Sequence, residues 1–135
     1  MEVIAEYAGG VKFEVVAGTH RVWCDQPAGN GGADEGMSPP EFLLASLATC
    51  GGYYAAEYLK ARGISPDGLR VRVTAAKAPH PARLASFRIE VTGVEVDERH
   101  EAGLLRAVKA CLIHNTLLAP PEIEVVVNQS KLSVV

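Results

Sequence analysis

SPPEFLLASLATCGGYYAAEY, residues 38–58, carries no charge between Glu41 and Glu57 and holds a cysteine, Cys50, near its middle. Ser38 can cap a helix beginning at Pro39-Pro40, because proline is tolerated in a first turn whose N–H groups have no helical partner. Ser38 and Glu41 have the spacing of a capping box. The helix is predicted to run to about Arg62, where Gly63 suits its C-terminal end. Small residues (Ala45, Ser46, Ala48, Thr49, Gly51, Gly52) stand where a core helix would carry more leucine. A helix apolar nearly all round must be covered on every side. One small sheet cannot do that alone, so the expectation is a homodimer burying two such helices, their small residues permitting close approach.

Outward from this helix, the N-terminal side is β-prone. Residues 2–7 and 11–16 are separated by Gly9-Gly10, and His20-Arg21-Val22-Trp23-Cys24 follows the turn at Gly18-Thr19. The Gly-rich connection 25–38 is too long for a tight turn, and such loops are usually functional lids or disordered. It lacks the Gly-x-Gly-x-x-Gly and Gly-Lys-Ser/Thr patterns of a phosphate cradle. On the C-terminal side the period becomes two. Leu69, Val71, Val73 and Ala75 alternate with Arg70, Arg72 and Thr74; past APHPAR, Phe87, Ile89 and Val91 alternate with Arg88, Glu90 and Thr92. These are two half-buried strands, expected to pair antiparallel. Asp97 caps a second helix predicted to reach about Thr116, with the apolar stripe Leu104, Leu105, Val108, Cys111 and Leu112. Pro120-Pro121 stops it, and Glu122–Val127 reads as a last strand. The order βββ-α-ββ-α-β makes an α+β chain, one domain over residues 1–135.

A net charge of −3 with no basic stripe argues against nucleic acid as a partner. The longest uncharged run, 42–56, is shorter than the roughly 20 apolar residues of a membrane helix. Met1-Glu2-Val3 lacks the basic-then-apolar opening of a secretory signal. Three widely spaced cysteines make no disulfide framework, so the expected setting is the reducing cytoplasm, where a disulfide is more often catalytic than structural.

Cys50 can be read as a buried filler, since free cysteine is among the most buried residue types. Against that, Gly51-Gly52 follow it at a cost in helix stability of about 1 kcal/mol each. A second cysteine, Cys111, stands on the core-facing stripe of the other long helix. Two helices packed at roughly 8–10 Å could bring the two within disulfide reach. A metal site is another reading: Cys111 and His114 have helical ligand spacing, and His20 and Cys24 share a strand face. There is no Cys-x-x-Cys knuckle, and no Gly-x-Ser-x-Gly elbow that would anchor a hydrolase.

SPPEFLLASLATC resembles the Ser/Asn-Pro-x-Glu-Leu helix, ending in Ala-x-x-Cys, of the OsmC/Ohr family of thiol peroxidases. VKACLIHNTL resembles that family's second cysteine segment, commonly Cys-Pro-Val-x-Asn-Thr-Leu. The Gly-rich lead-in GGADEGMSPPE is similar too, and with the element order the resemblance spans nearly the whole chain. It implies an intertwined homodimer with active sites at the subunit interface, Cys50 as peroxidatic nucleophile and Cys111 as its resolving partner. It further implies organic hydroperoxides as substrates, an external dithiol such as a lipoyl-bearing protein as reductant, and no cofactor. In the family an arginine held by the motif glutamate favours the thiolate. Glu41 matches that glutamate. Val11 follows Gly9-Gly10 where members read Gly-Gly-Arg, the 25–38 loop has no arginine, and Arg21 is the nearest substitute. Glu41 lies nine residues before Cys50, about 180° around one helix, so it would act through an arginine or from the partner subunit. As a first-turn carboxylate it also suits the helix dipole. Leu112 stands where the family's proline usually follows the second cysteine. Tyr53 and Tyr54 could line an apolar pocket or pack in the core. An alternative of another class is a non-catalytic dimer that binds an apolar or thiol-containing small molecule in the same pocket.

Overall fold

The computed structural model describes residues 1–128. Three strands, β1 (Ile4–Tyr7), β2 (Phe13–Ala17) and β3 (His20–Cys24), form an antiparallel sheet in the order β1-β2-β3. A helix, α1 (Pro39–Ala61), leads to the antiparallel pair β4 (Arg70–Pro79) and β5 (Ala82–Thr92). Two further helices follow, α2 (Glu98–Lys109) and α3 (Leu112–Leu118). The class is α+β, strands then helices, with the two sheets separate among the described residues.

Helix α1 starts where its capping chemistry dictates. The Glu41 carboxylate accepts the Ser38 N–H at 3.1 Å and the Ser38 hydroxyl at 2.8 Å, closing the first turn on itself. Its buried stripe is Leu47, Gly51, Ala55 and Leu59, at i, i+4 spacing. This stripe packs against α2 and β4, and Ala55, Leu59, Leu104 and Val108 form the buried core. Gly51 belongs to that packing: a Cβ there would stand 3.3 Å from Val108 Cγ1. The small residue thus allows α2 of the same chain to approach.

Two expectations need correction. The second helix does not continue from Asp97 to Thr116. It stops at Lys109, and Cys111 adopts an extended backbone (φ −57°, ψ 133°) that ends one helix and starts another. Nor is Glu122–Val127 a strand; among the described residues it pairs with nothing, and Ile123, Val125, Val126 and Val127 are all exposed. A β-prone run becomes a strand only beside an edge, and among the described residues no edge reaches it.

The 25–38 connection is organised by one side chain. Asp25 is 2% exposed. Its carboxylate accepts the backbone N–H groups of Gln26 (2.8 Å), Ala33 (3.1 Å) and Glu35 (3.1 Å), folding the loop back on the end of β3. Lys12 bridges to Glu35 at 2.5 Å and lies over the Trp23 ring, adding a second tie.

Candidate active site

Cys50 sits on α1, half-buried, and Cys111 is fully buried at the start of α3. The break between α2 and α3 brings them together. By leaving the helix, Cys111 becomes the N-cap of α3, its Sγ accepting the His114 N–H at 3.4 Å. The Cys111 thiol lies near enough to Cys50 to act on its ionisation. Burial pushes the Cys50 thiol up, but the Cys111 thiol and the backbone N–H groups of Ile113 and Leu112 outweigh it and bring Cys50 below the usual thiol value. Cys111 goes the other way. Burial and the neighbouring Cys50 raise it, and the N–H groups of His114 and Ile113 offset only part of that rise. Of the two thiols, Cys50 therefore ionises more readily than Cys111. An accessible, more acidic thiol beside a covered, less acidic one can attack an electrophile first and be captured by its neighbour second.

The other two expected site residues lie elsewhere in the chain. Arg21, on β3, is exposed and ion-paired with Glu14 of the neighbouring strand. Glu41 is held in the capping box, and the N–H and hydroxyl of Ser38 lower its carboxyl below the usual range. Within one chain, neither touches the other or the thiols. His20 and Cys24 lie on β3, and among the described residues no three His, Cys, Asp or Glu side chains gather as a metal-holding group. Tyr53 is exposed and meets half-buried Tyr54 edge to face, with centroids 5.3 Å apart.

A large open cavity of about 1130 Å³ lies between β5, α2 and α3, walled by residues such as Leu47, Phe87, Ile89, Leu104 and Leu117. His114 lines it, with Nδ1 buried and lacking a hydrogen-bond partner among the described residues. Neither cysteine lines this cavity. Sequence reasoning missed the role of Asp25 and the amides of residues 112–114. An acidic residue closing a strand before a Gly-rich loop was a usable signal for Asp25. For the amides there was none, since nothing marks a helix break at Ala110-Cys111-Leu112.

Fold and site together define an α+β protein in which one thiol on the central helix, Cys50, faces a second, Cys111, at the start of α3. Residues 31–126 match the family model described as OsmC-like protein, and the chain belongs to that family. No curated protein matches the sequence. Among solved structures, the chain is similar to a Psychrobacter arcticus 273-4 protein provisionally described as an osmotic stress induced and detoxification response protein. The two are 22% identical, with 84% of this chain and 85% of that one covered and a TM-score of 0.78. An OsmC-like protein from Mycoplasma pneumoniae is 20% identical, covering 88% and 87%, at a TM-score of 0.74. The organic hydroperoxide resistance protein OhrB of Bacillus subtilis is 21% identical, covering 88% and 90%, at 0.56. At these identities the likeness establishes the fold.

Proposed function

We propose that this protein is a cysteine-based peroxidase for organic hydroperoxides, working as a homodimer. The observation that carries the reading is the asymmetry of the thiol pair: Cys50 is half-buried, with its thiol held below the usual value, and Cys111 is fully buried, with its thiol held above it. The Cys50 thiolate attacks the terminal oxygen of the hydroperoxide, and the O–O bond breaks. The alkoxide leaves and takes a proton to become the alcohol, while Cys50 becomes a sulfenic acid. The Cys111 sulfur then attacks the Cys50 sulfur, expelling water and forming the disulfide. An external dithiol, of which a protein-borne lipoyl group is one form, reduces the disulfide by two exchange steps and is itself oxidised. Arg21 and Glu41 have other partners within their own chain, so we assign them to the site through the partner subunit, Glu41 holding the Arg21 guanidinium near Cys50.

Cumene hydroperoxide tests the reaction. In wild type it yields a Cys50–Cys111 disulfide by peptide mass spectrometry. In Cys111→Ser it yields a Cys50 sulfenic acid trapped by dimedone, and Cys50→Ser consumes no peroxide. Arg21→Ala slows Cys50 oxidation; an unchanged rate removes Arg21 from the site. The 1130 Å³ apolar cavity favours a second reading, a non-catalytic dimer that binds an apolar small molecule. Very slow oxidation of both cysteines in wild type would select it.

A further inference from the structure

The outer face of the β4–β5 pair gathers charge that the linear sequence keeps apart. Val71, Val73, Ile89 and Val91 are half-buried on the face that packs toward α1 and the core. Side chains alternate along a strand, so Arg70, Arg72, Arg88 and Glu90 stand together on the opposite face. The register sets Arg72 across from Glu90, Arg70 across from Thr92 and Arg88 across from Thr74. Glu90 meets Arg88 at 3.1 Å and Arg72 at 3.7 Å, while Arg70 has no ion pair among the described residues. The Arg72 and Arg88 side chains stay 68% and 75% exposed. Three guanidinium groups against one carboxylate leave this face positive on a chain whose net charge is −3. Like charges on neighbouring cross-strand positions cost stability, and the apolar residues of the other face are what hold the pair to the core.

We propose that this arginine face is a docking surface for an acidic segment of another protein, held through its carboxylates. A guanidinium is planar and takes a carboxylate by two parallel hydrogen bonds. Arg70 and Arg72 are two residues apart on one strand, roughly 7 Å, which matches carboxylates at alternate positions of an extended peptide. Glu90, between the arginines, selects the class of partner. A peptide can offer it backbone N–H groups, whereas a phosphate backbone or an anionic lipid surface brings only further negative charge to it. Nucleic-acid and membrane binders gather several uncompensated cations, and here the remainder of the chain is more negative than the whole. The face lies on the other side of the sheet from α1, so docking here is independent of the thiol chemistry.

The test is an NMR titration of the full chain with hexaglutamate at about 50 mM salt, where surface charges are only partly screened, following the arginine Nε–H signals. The expected result is that Arg70, Arg72 and Arg88 move together and saturate while Arg99 and Arg106 of α2 stay still. Glu90→Gln removes the opposing charge and should lower the half-saturating concentration roughly threefold, and Arg72→Gln should raise it by at least as much. Should Arg72→Gln weaken the strand pair, Arg70→Gln, at the guanidinium without an ion pair, reads the same loss. Shifts of equal size at every arginine, or no saturation, would overturn the proposal, because they mean attraction to bulk charge and not to a face. Tighter binding of duplex DNA or of phosphatidylserine vesicles than of hexaglutamate at the same salt would overturn it equally. None of these probes reacts with a thiol, so a protein that leaves cumene hydroperoxide intact can still dock an acidic segment.

Discussion

Single atoms decide whether Gly103 and Asp25 could be exchanged. At Gly103 of α2 an added Cβ would collide with the hydroxyl and ring of Tyr58. Tyr58 has little freedom to yield, since its hydroxyl meets His100 Nδ1 at 3.3 Å and its ring lies under the Arg62 guanidinium. Gly103→Ala is therefore expected to destabilise by about 1–3 kcal/mol through overpacking, despite alanine's better helix propensity. A melting curve reads the loss, and Gly103→Ala with Tyr58→Ala should recover the clash component. Asp25 makes a pH prediction. The N–H groups of Glu35, Gln26 and Ala33 hold its carboxyl below the usual range, and Ser38 does the same for Glu41. For a carboxyl depressed in the folded state, the stabilisation is present above the unfolded pKa and is lost as pH falls through the folded one. Amide exchange at Ala33 and Glu35 should thus stay slow near neutrality and accelerate in acid below the ordinary carboxylate range. In Asp25→Asn it should be fast throughout. That Cys50 and Cys111 meet is legible from two apolar stripes, each carrying one thiol. The partners of Arg21 and Glu41 are less so, because a charged side chain takes the nearest opposite charge or cap, which a motif comparison does not see.

At the level of elements, the caps could be read and the break could not. Ser38, Glu41 and Asp97 announce where helices begin, since each answers a shortage of backbone acceptors. Asp97 indeed accepts the His100 N–H at 2.9 Å. The start of α3 is capped by a sulfur, which no capping preference includes, and Leu112 gives none of the warning that proline would give. Ala110 and Leu112 are both good helix formers, so local propensity favours the continuous helix that tertiary packing breaks. Because Cys111 Sγ is the cap, Cys111→Ser should preserve α3, a hydroxyl being a better cap. Cys111→Ala should cost about 1–2 kcal/mol more than serine. Paired denaturation curves of the two variants measure the difference, and equal stabilities would deny the sulfur its structural role.

The whole molecule leaves much of its apolar surface uncovered. The strands of the β1–β3 sheet pack extensively on one another and make no comparably extensive contact with a helix or with β4–β5 among the described residues. Ile4, Tyr7, Phe13, Val22 and Trp23 are exposed on it. Helix α1 shows the same lack, with Leu43 and Tyr53 (63% exposed) on its open side. The uncharged run 42–56 signalled this, since one chain's core covers only the Leu47-Gly51-Ala55-Leu59 stripe. A homodimer burying above roughly 2,000 Å² in total, as obligate interfaces do, would cover these faces. Sedimentation at micromolar concentration should find a dimer for wild type, and Tyr53→Glu should dissociate or precipitate it. A wild-type monomer would remove the shared site. None of the helices is long and apolar enough to cross a membrane among the described residues.

The unpaired run at residues 122–127 has a consequence for the free chain. A valine-rich run that pairs with nothing among the described residues leaves backbone donors and acceptors on which other copies can stack into fibrils. Here Pro120-Pro121 stand immediately before it, and Glu122 and Glu124 interrupt its apolar residues. Proline cannot donate to a growing ladder, and stacked glutamates repel, so the segment carries its own gatekeepers against aggregation.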